Sequence, residues 1–130
     1  MITEEEKQNI FDDLNERHTT IHELLFLDVE KIFRKHNFSY KGDRVIANAQ
    51  YPNIVFWAGW NNESVELLFE YQKKYNLTYV PVNILVYLTS GGGLNLPLYH
   101  SKRNPKLLKT EHWIPVNIVT RKEWERFPVK

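Results

Sequence analysis

The feature that most constrains the fold is a change in hydrophobic period near Asn37. Before this residue, apolar side chains recur at multiples of three to four positions, which is the period of a helix with one buried face. They are Ile10, Leu14, Ile21, Leu24, Leu25, Ile32 and Phe33. After Asn37 the chain changes to β-branched and aromatic runs, which are typical of strands. The sequence therefore predicts helices over residues 4–36 and a sheet after them.

Two capping patterns indicate where the helices begin. Thr3 and Glu6 have the form of a capping box, in which a hydroxyl and a carboxylate satisfy each other's free amides. Thr20 and Glu23 repeat the pattern, so residues 4–36 can be one helix or two. Because globular helices usually run about 8–20 residues, we expect two.

The region after Asn37 contains several runs with strand character. Segments 44–48 and 54–60 read as strands that are separated by a Tyr-Pro-Asn turn signal. Segment 65–72 alternates as a strand does, although a helix also fits its spacing. Segments 79–86 and 113–120 share the order aromatic, β-branched, Pro, Val, Asn, Ile, so they predict two further strands with proline at an entrance or edge.

These elements predict an α+β fold, with N-terminal helices packed on one face of a mostly antiparallel sheet of about five strands. A third capping pattern, Thr120 to Glu123, predicts a short C-terminal helix over 121–127. A chain of 130 residues with 42% hydrophobic and 25% charged residues has the size and composition of one folded domain. We expect a single domain over 1–130 that is helical over 1–37 and mainly strands over 38–120.

Composition excludes several classes of site. The chain has no cysteine, which excludes disulfides, thiolate zinc sites and a cysteine nucleophile. The acidic start and the lack of a long apolar run predict a cytoplasmic protein with no membrane segment. The abundance of Asn, Lys, Ile, Tyr and Phe suits an AT-rich genome, so we expect a bacterial or phage protein.

The net charge of +1 conceals a strong asymmetry along the chain. Residues 1–30 carry nine carboxylates against two cations, whereas residues 71–130 carry ten Lys and Arg against three Glu. Such a charge split can steer an anionic partner to one face, or let opposite ends of two molecules meet. The acidic helices are accordingly a candidate surface for a protein partner, and a homo-oligomer is a second interpretation.

The candidate ligand site begins at three consecutive glycines. A glycine run lets backbone amides approach a phosphate, although this one lacks both the P-loop lysine and the dinucleotide spacing. A basic segment follows, bracketed by two aromatic residues, and phosphates favour clustered cations while bases favour flat rings. The predicted ligand-binding residues are Gly91, Gly92, Gly93, Tyr99, His100, Lys102, Arg103, Lys106, Lys109, His112 and Trp113.

From this segment we predict a small non-catalytic binding protein, regulatory or defence-related, that captures a nucleotide or a nucleic acid and needs no cofactor. One alternative is an inhibitor or immunity-type factor that occludes a protein partner through its acidic helices or exposed aromatics. A second alternative is a metal-independent nuclease, with His100 or His112 as acid or base and Lys102 and Arg103 at the phosphate.

Three further patterns have mainly structural explanations. His18 and His22 have the spacing of a zinc pair, but a helix break between them would separate the rings. Glu66 and Glu70 share one face of the predicted strand 65–72, as an exposed sheet face commonly requires. Neither pattern predicts a metal site.

Alternation along 54–60 places the two tryptophans of that segment on opposite faces.

Overall fold

A computed structural model of the chain describes residues 2–99 and 104–120. This part of the chain contains four helices, five strands and one 3-10 turn, Pro105–Leu107. In chain order the helices and strands are α1 (Glu4–Ile21), α2 (Phe26–Lys35), β1 (Lys41–Ala47), β2 (Ile54–Trp60), α3 (Asn62–Tyr75), β3 (Leu77–Pro81), α4 (Ile84–Ser90), β4 (His112–Trp113) and β5 (Val116–Thr120).

The N-terminal segment forms two helices, as predicted. Both bonds of the capping box are present at the start of α1, where the Thr3 hydroxyl accepts from the amide of Glu6. The helix ends at His22, whose φ of 60° is left-handed. The break therefore follows Thr20, which lies inside α1, and α2 begins after Leu25 with the Leu25 amide donating to the Asp28 carboxylate at 2.9 Å.

The predicted α+β class is confirmed, and the described strands number five. They are divided between two small sheets. In the first sheet β1 pairs antiparallel with β2, and β2 pairs parallel with β4. In the second sheet β3 pairs antiparallel with β5. A bridge between Leu98 and Trp113 adds the loop around residue 98 to the outer side of β4.

The prediction of a strand over 65–72 is wrong, because this segment is part of α3. The Asn61 side chain caps the helix by accepting from the Ser64 amide at 2.8 Å. Leu67, Leu68 and Tyr71 are then buried at helical spacing, while the exposed positions of the segment carry Glu66, Phe69 and Glu70. The alternative spacing noted in the sequence was thus the correct one.

The predicted strand over 79–86 is correct only as far as Pro81. There β3 ends, and Asn83 starts α4 by accepting a hydrogen bond from the Leu85 amide at 2.9 Å. The region predicted to be mainly strands consequently contains two helices, α3 and α4. The predicted helix over 121–127 lies outside the described residues.

The core is aromatic and joins α2 to the first sheet. Phe26 stacks on Trp57 with ring centroids 5.7 Å apart and meets the edge of Trp60 at 5.6 Å. Both indole nitrogens donate to the same carboxylate oxygen of Glu30, each at 2.9 Å. The prediction that these tryptophans face opposite ways is wrong, because Gly59 adopts a φ of 91° that interrupts the alternation between them.

Candidate functional site

The predicted ligand-binding residues fall into two groups. His100, Lys102 and Arg103 lie outside the described residues. The other eight are described, and they occupy four different settings: the end of α4, the loop beside β4, the 3-10 turn with the residues after it, and β4 itself.

The glycine run forms the C-terminal end of α4. The amides of Gly91 and Gly92 both donate to the Tyr87 carbonyl, the second at 3.1 Å. Gly91 has a φ of 125°, a conformation that glycine adopts without steric cost. The carbonyl end of a helix also carries a negative partial charge, which opposes an anion. Two of the three glycine amides thus serve to terminate a helix.

Gly93 and Trp113 are in direct contact. A Cβ atom added to Gly93 would lie 2.6 Å from the Trp113 ring. The Trp113 side chain is 1% exposed, its ring lies 5.3 Å from that of Tyr87, and its indole nitrogen donates to the Phe56 carbonyl. Trp113 therefore belongs to the core, and its ring has no face open to a base.

The remaining candidates differ in how accessible they are. His112 in β4 is 7% exposed, and its Nδ1 lies 2.9 Å from the Thr110 carbonyl, to which it can donate. Lys106 and Lys109 are exposed, and the Asn104 side chain caps the 3-10 turn that carries Lys106. Tyr99 is half-buried beside an apolar groove. Among the described candidates, the two lysines present charge to solvent.

Several of the nine carboxylates in the acidic N-terminal segment make structural contacts. Glu6 belongs to the capping box, Glu4 pairs with a lysine, and Glu30 holds the two tryptophans of β2. Asp28 is 3% exposed and pairs with Arg17 at 3.1 Å. Asp13 lies 2.6 Å from the His36 ring, and this hydrogen bond is the main reason why the pKa of Asp13 is below its usual value of 3.8. The net charge of this segment thus overstates the acidic surface it offers.

The fold gives each of the two metal patterns of the sequence a structural setting. His18 is buried in α1, whereas His22 is the left-handed residue that ends this helix. Glu70, exposed on α3, pairs with Lys7 of α1 at 3.1 Å. Within residues 2–99 and 104–120, no group of three or more His, Asp or Glu side chains is placed to hold a metal ion.

A second candidate site, which was not among the sequence predictions, is an apolar groove of about 270 Å³. Its lining residues are Pro81, Val82, Ile84, Leu98, Tyr99, Ile114 and Pro115. Next to it on α4, Leu85 is 60% exposed and Leu88 is 53% exposed. We call these nine residues the uncharged surface, because none of them is acidic or basic.

Backbone pairing defines the floor and walls of the groove. The Tyr99 amide donates to the Trp113 carbonyl, and the Val82 amide donates to the Pro115 carbonyl, both at 2.9 Å. The end of β3 and the loop around residue 98 therefore approach the same side of the chain at Ile114. Ile114 and Pro115, in the segment that both of them contact, also line the groove.

A signal for this surface is present in the sequence. Residues 75–99 contain no Asp, Glu, Lys or Arg, although these residues make up 25% of the chain and about six would be expected in that length. The predicted ligand site follows the clusters of charged residues, whereas this surface belongs to a stretch that lacks them.

None of the helices in the described ranges is long and apolar enough to cross a bilayer. No protein-family model matches the sequence, and neither a curated protein nor a solved structure is significantly similar to it.

Proposed function

We propose that this protein acts without catalysis, by associating with protein through the uncharged surface. The observation that carries the proposal is the exposure of Leu85 and Leu88 beside an apolar groove. Exposed apolar surface that adjoins a groove is typical of protein interaction sites and ligand-binding grooves. The sequence also suggested a protein that occludes a partner through its acidic helices or exposed aromatics. The present proposal keeps the protein partner but places the contact on α4.

The helix that carries the two leucines is anchored to the core through Tyr87. Tyr87 on its opposite side is buried, and its hydroxyl donates to the Val116 carbonyl at 2.6 Å while accepting from the Phe26 amide at 3.2 Å. Burial raises the pKa of Tyr87 well above its usual value, which favours the protonated hydroxyl that donates to Val116. A partner would therefore meet a preorganised surface, which lowers the entropy cost of binding.

The shape of the groove favours a protein over a small molecule. Ligand pockets usually enclose about 300–1,000 Å³ and contain a few converging polar groups. At about 270 Å³, with mainly aliphatic and proline walls, the groove suits one or two side chains of a partner. Apolar side chains that enter such pockets are the usual anchors of an interface.

Site-specific photocrosslinking tests the proposal. A photoreactive phenylalanine analogue at Leu85 is expected to form a discrete covalent adduct with protein in the native cells. The same analogue at Phe69, which is 49% exposed on α3, is a control of matched exposure and should not form it. Adding Leu88→Asp to the Leu85 probe should remove the adduct. Equal labelling from both positions, or none from Leu85, would refute the proposal.

Capture of a phosphate-bearing ligand is a second candidate function, favoured by the exposure of Lys106 and Lys109 three residues apart. Contacts from these lysines predict binding of nucleotides or oligonucleotides that weakens steeply with salt. Replacing one phosphate-contacting lysine by alanine should reduce the salt slope by about 1. Absence of binding at low salt would exclude this function and leave the first proposal standing.

A further inference from the structure

We infer that the outer edge of β3 binds an extended segment of another protein, which adds to the second sheet as a further strand. The inference goes beyond the proposed function, because this edge shares only Pro81 with the uncharged surface. Three observations carry it: the direction of the backbone groups of β3, the composition of this strand, and the missing amide hydrogen of its proline.

The backbone groups of Tyr79 point away from the sheet. Tyr79 is paired with Ile118 of β5, and the Ile118 amide donates at 2.9 Å to the Leu24 carbonyl on the far side of β5. In an antiparallel pair, two residues opposite each other turn their backbone groups either towards each other or both outwards. Since Ile118 turns away from β3, Tyr79 turns away from β5.

Leu77 and Pro81 share this direction, because it recurs at every second residue of a strand. Within residues 2–99 and 104–120, β5 is the one strand that pairs with β3. In the same ranges, no group bonds to the outward amides or carbonyls of Leu77, Tyr79 and Pro81. A row of unpaired backbone groups at a sheet edge is a template for another strand.

The edge of β3 also lacks the features that usually protect an edge strand, which are charged side chains and bulges. β1, at an edge of the first sheet, has both: Lys41, Asp43 and Arg44 are exposed, and its pairing with β2 contains three register shifts. β3 has no charged residue, and its five residues pair with β5 in unbroken register. This contrast within one protein favours β3 as the edge that accepts a strand.

The spacing of the outward groups identifies the partner as an extended segment. The groups recur at every second residue, and an extended chain presents amides and carbonyls at the same spacing, whereas a helix bonds its own.

Pro81 argues against a second copy of this chain as the partner. Each β3 has outward carbonyls at Leu77, Tyr79 and Pro81, but outward amides only at Leu77 and Tyr79, since proline has no amide hydrogen. Two copies paired edge to edge would therefore leave carbonyls without donors. A different segment that supplies an amide for each carbonyl can satisfy the whole edge.

Short random peptides on a display library, selected on the immobilised full-length protein, supply the probe. We expect a selected peptide to slow hydrogen exchange of the Tyr79 amide at least about 10-fold, measured by NMR, because this amide gains an acceptor. The Val80 amide, which faces β5, should change little. N-methylation of every second peptide residue should weaken binding at least about 10-fold, whereas methylation of the residues between them should not.

A charge placed in the strand is a second test. Thr78→Lys introduces the kind of side chain that guards natural edges and should weaken peptide binding at least about 10-fold. Val45→Lys is the matched control, because Val45 is also a β-branched residue of an edge strand, and it should leave binding unchanged. Circular dichroism and thermal melting of both variants establish that each remains folded.

The outcomes separate the inference from the proposed function. Peptide binding that Leu88→Asp abolishes, without slower exchange at Tyr79, would overturn the inference and support the proposed function. Slower exchange at Tyr79 that depends on protein concentration alone would identify a second copy at this edge and would also overturn it. A library that yields no binder would overturn the inference, and the Leu85 crosslink would still test the proposed function.

Discussion

Replacement of Gly93 by alanine tests why the glycine run is there. The structure assigns Gly93 a packing role, since an added Cβ would lie 2.6 Å and 2.7 Å from two carbons of the Trp113 ring. Ordinary contact begins at 3.4 Å, so the ring or the loop has to move by about 0.8 Å. The ring is confined by Trp57 and Tyr87, whose centroids lie 6.1 Å and 5.3 Å from it.

Gly93 itself is exposed, but the Trp113 ring that it contacts is buried, and overpacking against a buried side chain costs about 1–3 kcal/mol. For a domain of 130 residues, each kcal/mol lowers the melting temperature by about 3–5 °C. Gly93→Ala is therefore expected to melt about 3–15 °C below the parent protein, as followed by circular dichroism. Chemical denaturation should give the same loss in the free energy of unfolding.

A double-mutant cycle connects this loss to the indole ring. Trp113→Phe removes the outer carbons that an alanine Cβ would meet, so Gly93→Ala should cost at least about 1 kcal/mol less in that background. Additive effects would mean that the two residues do not clash. An unchanged melting temperature combined with lost nucleotide binding would refute the packing role and restore the phosphate loop predicted from sequence.

Two further predictions concern buried polar contacts. Glu30→Ala leaves the indole nitrogens of Trp57 and Trp60 without their acceptor. We expect it to lower the free energy of unfolding by about 2–4 kcal/mol, measured by urea denaturation. The control Glu16→Ala, at an exposed position, should change the free energy of unfolding by less than about 0.5 kcal/mol. Because its pKa is lowered in the folded state, Asp13 contributes stability above pH 3.8 that is lost as the pH falls below that value. The stability difference between Asp13→Asn and the parent protein should therefore be full near pH 5 and shrink towards pH 2, and a constant difference would contradict this assignment.

The parts of the fold that the sequence predicted correctly are those set by local chemistry. The Thr3 capping box, the helical period before Asn37 and the β-branched runs of β1 and β2 each specify their own conformation through neighbouring residues. The error at segment 65–72 arose because both periods fit this segment and the strand was preferred. Segment 65–72 fits either period, and its helical cap, Asn61, is also a common turn residue.

One tetrapeptide demonstrates the limit of local reasoning. Pro-Val-Asn-Ile occurs at 81–84 and again at 115–118, and the two copies adopt different structures. In the first, the Asn83 side chain accepts from the Leu85 amide and starts a helix. In the second, the Asn117 side chain accepts from the Leu24 amide, 93 residues away, and the chain continues as β5. A contact so distant in sequence decides between helix and strand, and no local pattern contains it.

The charge asymmetry was the most conspicuous functional signal in the sequence, and the structure changes its meaning. Asp13, Asp28 and Glu30 hold α1 and α2 in place, because their carboxylates pair with side chains of the same molecule. Exposed apolar side chains do not make such contacts. They also do not stabilise the fold, because the hydrophobic effect favours only apolar surface that is removed from water. Leu85 and Leu88 are exposed on a helix that Tyr87 already anchors, so folding alone does not explain them. We propose that association with protein explains them, and the proposed function therefore uses the uncharged surface and not the charged ends.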